Sequence, residues 1–79
     1  MGHHVTVMSR ETCHSCHVAA TEIERICGEM GATWSVEDVD ADPELRAEYG
    51  DRVPVFLVDG VEHGYWAVEE ERLRAALGA

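Results

Sequence analysis

Residues 5–16 read VTVMSRETCHSC. Val5 to Met8 is a β-branched, apolar run that ends at Ser9, and it predicts a strand. From Cys16 onward apolar residues fall at Ala19, Ala20, Ile23, Ile26, Cys27 and Met30. That is the spacing of one helix face, and Gly31 stands where such a helix would cap. The dithiol Cys13-His14-Ser15-Cys16 therefore sits where a strand gives way to a helix N-terminus. A thiol exchanges disulfides only as its thiolate. Unpaired amides and about half a positive charge at a helix N-terminus favour that form. Cys13, at the exposed turn, reads as the attacking thiol, and Cys16, one turn in, resolves the mixed disulfide. Charges beyond about 8–10 Å are screened, so the neighbours decide. Arg10, His14 and His17 support the thiolate and Glu11 opposes it, so His14 and His17 are expected to tune the site.

Moving outward, Trp34 and Val36 alternate with polar Thr33, Ser35 and Glu37, which predicts a half-buried strand running into acidic sequence around Val39. Asp42-Pro43 supplies an N-cap and a proline at the first helical position. The short helix they open has Leu45 and Tyr49 facing in and Gly50 as its stop. Val55 to Val58 is a continuous apolar strand, Asp59-Gly60 a two-residue hairpin signal, and Val61 to Tyr65 the returning strand. A last helix runs from about Val68 to Leu77, with Leu73, Ala76 and Leu77 on one face. The order is β-α-β-α-β-β-α. The first βαβ unit must be parallel and right-handed, the later hairpin antiparallel. The simplest closure is an α/β, thioredoxin-like fold: a four-stranded mixed sheet flanked by three helices on both faces.

Pro54 opens a strand whose apolar run marks it as central, where proline is normally excluded. A cis Val53–Pro54 bond at the first residue reconciles the two. It would turn the Val53 backbone outward, free to pair with an extended thiol substrate.

Composition narrows the function. The chain has 79 residues, enough for one domain, 1–79, with residues 1–4 left open as a disordered or cloning-derived start because His3-His4 occur there. Six basic residues, all arginine, against 16 acidic ones give a net charge of −10. Such a surface repels phosphate backbones and anionic leaflets, so neither nucleic acid nor membrane is an expected partner. The longest apolar run, Val53 to Val58, is far short of the roughly 20 residues a membrane helix needs. Three cysteines, an odd number, and no visible secretion signal point to the reducing cytoplasm, where cysteine usually means catalysis or metal.

Two other chemistries compete for the same cysteines. A zinc site would crowd its ligands into Cys13 to His17, too tight for a tetrahedron, with His63 alone further along the chain beyond the N-terminal pair. Cys13 to His17 also matches the C-x-x-C-H haem-attachment pattern, but half the predicted elements are strands, against the mostly helical wrap that attachment wants.

Arg10-x-x-Cys13-His14-x-Cys16, Asp38-Val39-Asp40-Ala41-Asp42-Pro43, Val53-Pro54-Val55 and Val58-Asp59-Gly60 together resemble the bacterial glutaredoxin-like proteins, over roughly Val5 to Leu77. The resemblance implies a glutaredoxin-type thioredoxin-like fold, Cys13 as nucleophile, Cys16 as resolving thiol and Pro54 as the cis proline. It also implies Arg10 as a residue that holds a thiol tripeptide, and Gly64 as the remnant of a double glycine that receives its γ-glutamyl carboxylate. The departures are specific. His14-Ser15 replaces the usual Pro-Tyr, and Glu69-Glu70-Glu71 places three carboxylates where an anion should dock. Their repulsion offsets much of the helix-dipole attraction, typically about 0.3–1 kcal/mol. The chain also looks somewhat like the small redoxins that take electrons from thioredoxin reductase.

Other residues read more plainly. Cys27 lies eleven residues past Cys16, about 16 Å along one helix, too far to pair with it, and reads as a buried small hydrophobe. Trp34 reads as core or edge cover and His63 as an exposed strand residue. Tyr65 and Trp66 read as packing against the last helix, with a protein-docking surface as the alternative.

The sequence thus predicts a monomeric cytoplasmic thiol–disulfide oxidoreductase. It reduces protein or low-molecular-weight disulfides through a mixed disulfide, with no bound cofactor or metal. Glutathione, another small thiol or a thioredoxin-reductase-like donor restores the dithiol. The alternative is a metal or iron–sulfur carrier using the same cysteines.

Overall fold

The computed structural model describes residues 2–78. Strand β1 (His4–Ser9) leads through a turn to α1 (His14–Met30), and β2 (Thr33–Asp38) returns beside β1. A 3-10 turn (Val39–Ala41) precedes α2 (Pro43–Tyr49). Then come β3 (Val55–Val58), β4 (Val61–Tyr65) and α3 (Glu70–Leu77). The sheet order is β2-β1-β3-β4, with β1 parallel to β2 and antiparallel to β3, and β3 antiparallel to β4. This is the thioredoxin-like mixed sheet expected from the sequence.

Local chemistry accounts for the boundaries. Cys13 takes extended backbone at the N-cap of α1, and Gly31, at φ 70°, ends the helix with its N–H on the Cys27 carbonyl. The Asp42 side chain accepts from the Glu44 N–H at 2.9 Å, and Pro43 occupies the first turn. Asp59 and Gly60 both have positive φ, the pattern that a two-residue hairpin with strand-matched twist requires.

Because β1 and β3 are the inner strands, their side chains feed two cores. Val5, Val7 and Phe56 pack with Ala19, Ile23, Ile26 and Cys27 of α1 and with Leu73 and Leu77 of α3. Met8, Val55 and Leu57 face the opposite side, where Val39 is buried and Leu45, Tyr49 and Val53 complete the cover. Each fully buried aliphatic side chain contributes about 1.5–3 kcal/mol. Helices therefore lie on both faces, as the unbroken apolar run of β3 required.

Several expectations need adjustment. Val36 is exposed, although Trp34 on the same strand is half-buried against the first core. The sequence does not mark the 3-10 turn. It forms because the Asp38 carboxylate accepts from the Asp40 N–H at 2.9 Å and Val39 anchors the second core. Helix α3 starts at Glu70 rather than Val68, after an extended Glu69. Phe56 pairs with Gly64 and Leu57 with Glu62, so His63 is the extra residue of a β-bulge. It is half-buried rather than exposed, and burial pulls its imidazole pKa below the usual histidine value, assisted by the nearby Arg72 charge. Of residues 1–4, Met1 lies outside the described residues and His4 opens β1. His3 meets the Asp59 carboxylate at 2.5 Å.

Candidate active site

Met8 pairs with Val55, and Val55 pairs with Tyr65. The end of β1, the start of β3 and the end of β4 therefore meet at one end of the sheet. The dithiol turn, Val53–Pro54 and Trp66 follow or precede those paired residues directly.

Arg10 and Cys13 close the turn through a Cys13 N–H to Arg10 carbonyl bond of 3.1 Å. The Cys16 N–H then donates to Cys13 Sγ at 3.2 Å. An amide donor aimed at sulfur is the contact a thiolate needs and a thiol does not. Cys13 is partly exposed and Cys16 is fully buried, and both are free thiols. Burial pushes the Cys16 thiol above the ordinary cysteine value, and its hydrogen bond to Cys13 reinforces the shift; the Arg10 backbone and the Ser9 side chain oppose it. The two sulfurs thus differ in access and in chemistry.

The flanking histidines point to different grooves. His14 and Ser15 are exposed and border a groove of about 250 Å³ between α1 and the segment after β4. His17 borders a second groove, of about 220 Å³, with Ser9, Arg10, Cys16 and Val36. His17 Nε2 lies 2.8 Å from the Glu11 carbonyl. A carbonyl only accepts, so that nitrogen carries the proton.

Val53–Pro54 is cis, as the sequence required. Pro54 is buried, and its carbonyl accepts from the Trp66 N–H at 2.7 Å. Among the described residues, neither the N–H nor the C=O of Val53 makes a backbone hydrogen bond. Arg10 and Gly64 are both occupied from within the chain. Arg10 Nε donates to Asp40 Oδ1 at 3.2 Å. Gly64 sits in β4 with the Arg72 guanidinium 3.5 Å from where a Cβ would stand, and Arg72 Nη1 donates to the His63 carbonyl at 2.5 Å.

Cys27 is buried in α1 and takes no part in this cluster. Tyr65 and Trp66 are exposed rather than packed under α3, their rings edge-to-face at 5.0 Å. Sequence reasoning missed Ser9 and Glu22 as neighbours of the site. It also missed Val18, although a β-branched residue off the apolar face of α1 was a signal within reach. Among the described residues, no three His, Cys, Asp or Glu side chains are grouped to hold a metal ion. Among the described residues, no helix is long and apolar enough to cross a membrane.

A mixed four-stranded sheet with a cysteine pair at the first helix and a cis proline at the third strand defines a thioredoxin-like protein. Comparison narrows the class. The family described as Glutaredoxin-like domain (DUF836) matches residues 4–78. The uncharacterized proteins Rv0508 of Mycobacterium tuberculosis and Mb0520 of Mycobacterium bovis are each 43% identical over 76 residues, covering 90% of this chain and 78% of theirs. The solution structure of Ne2328 from Nitrosomonas europaea superposes with a TM-score of 0.85 at 23% identity, covering 98% of this chain and 93% of that one. The protein XcR50 from X. campestris does so at 0.69 and 31%, covering 94% and 95%. A thioredoxin from Fasciola hepatica shares the fold at 0.63 and 24%, covering 98% and 79%. The chain belongs to the glutaredoxin-like (DUF836) family and has a thioredoxin-like fold.

Proposed function

We propose that the protein is a thiol–disulfide oxidoreductase working through a Cys13/Cys16 dithiol. The observation that carries this reading is the Cys16 N–H on Cys13 Sγ, with Cys16 buried one turn behind. The Cys13 thiolate attacks one sulfur of a substrate disulfide, forming a Cys13–substrate bond and expelling the other substrate sulfur as a thiolate. Cys16 then loses its proton to solvent and attacks Cys13 Sγ. The Cys13–Cys16 disulfide forms, and the second substrate sulfur leaves with the electron pair. Two electrons have passed to substrate. Burial of Cys16 holds it protonated until the mixed disulfide brings its target close. The unpaired Val53 backbone offers the substrate a short antiparallel pairing, and His14 and His17 set the local charge.

An external donor returns the two electrons, with no bound metal or organic cofactor. Arg10 is held by Asp40, and Arg72 covers Gly64, so both groups that would receive glutathione already have partners in the chain. This favours a reductase or a different small thiol as donor. The protein works as a monomer in the reducing cytoplasm.

The test is reduction of insulin or hydroxyethyl disulfide by the full chain, supplied in parallel with glutathione, another small thiol, or thioredoxin reductase with its reductant. Turnover is expected with at least one donor, and faster with thioredoxin reductase than with glutathione. Stoichiometric zinc together with no turnover from any donor would refute the reading.

A further inference from the structure

Trp66 is the least expected residue near the dithiol. Its backbone has φ 72°, a left-handed conformation that an aromatic residue rarely adopts, and its N–H is fixed on the Pro54 carbonyl. The side chain gains no burial in return, being 62% exposed. Strain held at a position that presents an indole to solvent points to a use for that indole. The groove it borders runs along α1 past His14, Ser15 and Val18, itself 46% exposed, to Glu22. No arginine lines the groove. Among the described residues Glu22 makes no ion pair. Arg25, which feels the Glu22 charge, is bound instead by both oxygens of Glu70.

An aromatic face, an uncommitted carboxylate and an apolar floor together fit a cationic side chain carried on a polypeptide. We propose that Trp66 and Glu22 form a specificity site for an arginine or lysine next to the reacting cysteine of a protein disulfide substrate. The guanidinium or ammonium lies over the indole and pairs with Glu22, while an apolar neighbour rests on Val18. The net charge of −10 steers basic segments toward the site and repels acidic ones. The inference deepens the dithiol reading and rests on it.

The test uses three labelled peptides differing at one residue beside their cysteine, Arg, Gln or Glu, in disulfide-linked and S-methylated forms. Binding of the S-methylated forms to the full chain is read by anisotropy at low and high salt, and reduction of the disulfide forms as kcat/KM. The Arg peptide is expected to exceed the Gln peptide about fivefold in both, the combined size of an exposed cation–π contact and an exposed ion pair. Glu should rank last, and salt should narrow the spread. Trp66→Ala and Glu22→Gln, each checked for folding by circular dichroism, should each shrink the Arg/Gln ratio to about twofold. Equal binding of all three peptides, or a preference that survives both substitutions, overturns the site. If the S-methylated peptides keep the Arg preference while no disulfide is reduced, the docking site stands and the dithiol reading fails. If all three disulfides are reduced at one rate, the dithiol reading stands and the docking site fails.

Discussion

At the N-cap of α1 a sulfur receives an amide hydrogen bond and touches solvent, whereas the sulfur one turn further in has neither open access nor an ordinary acidity. The third cysteine completes the contrast. Cys27 is fully buried among Ile23, Ile26 and Val7, and burial raises its thiol pKa. In the native protein, iodoacetamide should therefore modify Cys13 first and reach Cys27 only on unfolding, as read by peptide mass mapping. Modification of Cys27 at the rate of Cys13 would contradict this placement. Cys27→Ser should cost about 1–3 kcal/mol in denaturant unfolding, because it moves a hydroxyl from water into an apolar core. The dithiol and Pro54 were legible in the sequence because their signals are local: a spacing beside a strand end, and a proline inside an apolar run. Arg10 was not fully legible. Its partner Asp40 lies 30 residues away, and only the fold brings them together. The left-handed Trp66 has no local signal either, since its backbone is set by the Pro54 carbonyl.

At the level of elements, α1 and α3 are joined by more than their apolar faces. Arg25 grips Glu70 with both terminal nitrogens, at 2.8 and 3.3 Å. Arg74 reaches Glu70 at 2.9 Å and also bonds Glu29. The two guanidinium groups lower the Glu70 carboxyl pKa from the ordinary 4.5 to about 2. Because the folded value is the lower one, the contribution is complete above the ordinary carboxylate pKa. It is lost as pH falls toward and through about 2. Urea unfolding at pH 7, 5 and 3 should show Glu70→Gln losing less stability on acidification than the parent chain. Identical slopes would remove Glu70 as the hub. The sequence carried half of this network, since Glu70 and Arg74 are one helical turn apart, but the Arg25 contact spans 45 residues. The bulge at His63 and the turn at Val39 were hidden for a similar reason. Each is too short for periodicity to register, and each depends on a partner strand or core.

For the molecule as a whole, the strand order converts scattered sequence features into one site. Placing β1 and β3 side by side brings the dithiol turn to Val53–Pro54, and β4 adds Trp66 at the same end of the sheet. Two cores, one on each face, hold that end from both sides. The fold was legible almost entirely, because apolar periodicity and three turn signals determine the element order and leave one simple closure. The chemistry rests on the asymmetry between the two sulfurs at that end. Its most direct measurement is intact-mass analysis of Cys16→Ser and Cys13→Ser after incubation with a disulfide substrate. A stable substrate adduct is expected on Cys13 in the Cys16→Ser chain and none in the Cys13→Ser chain. Adducts of equal yield in both, or an adduct on Cys16 alone, would contradict it.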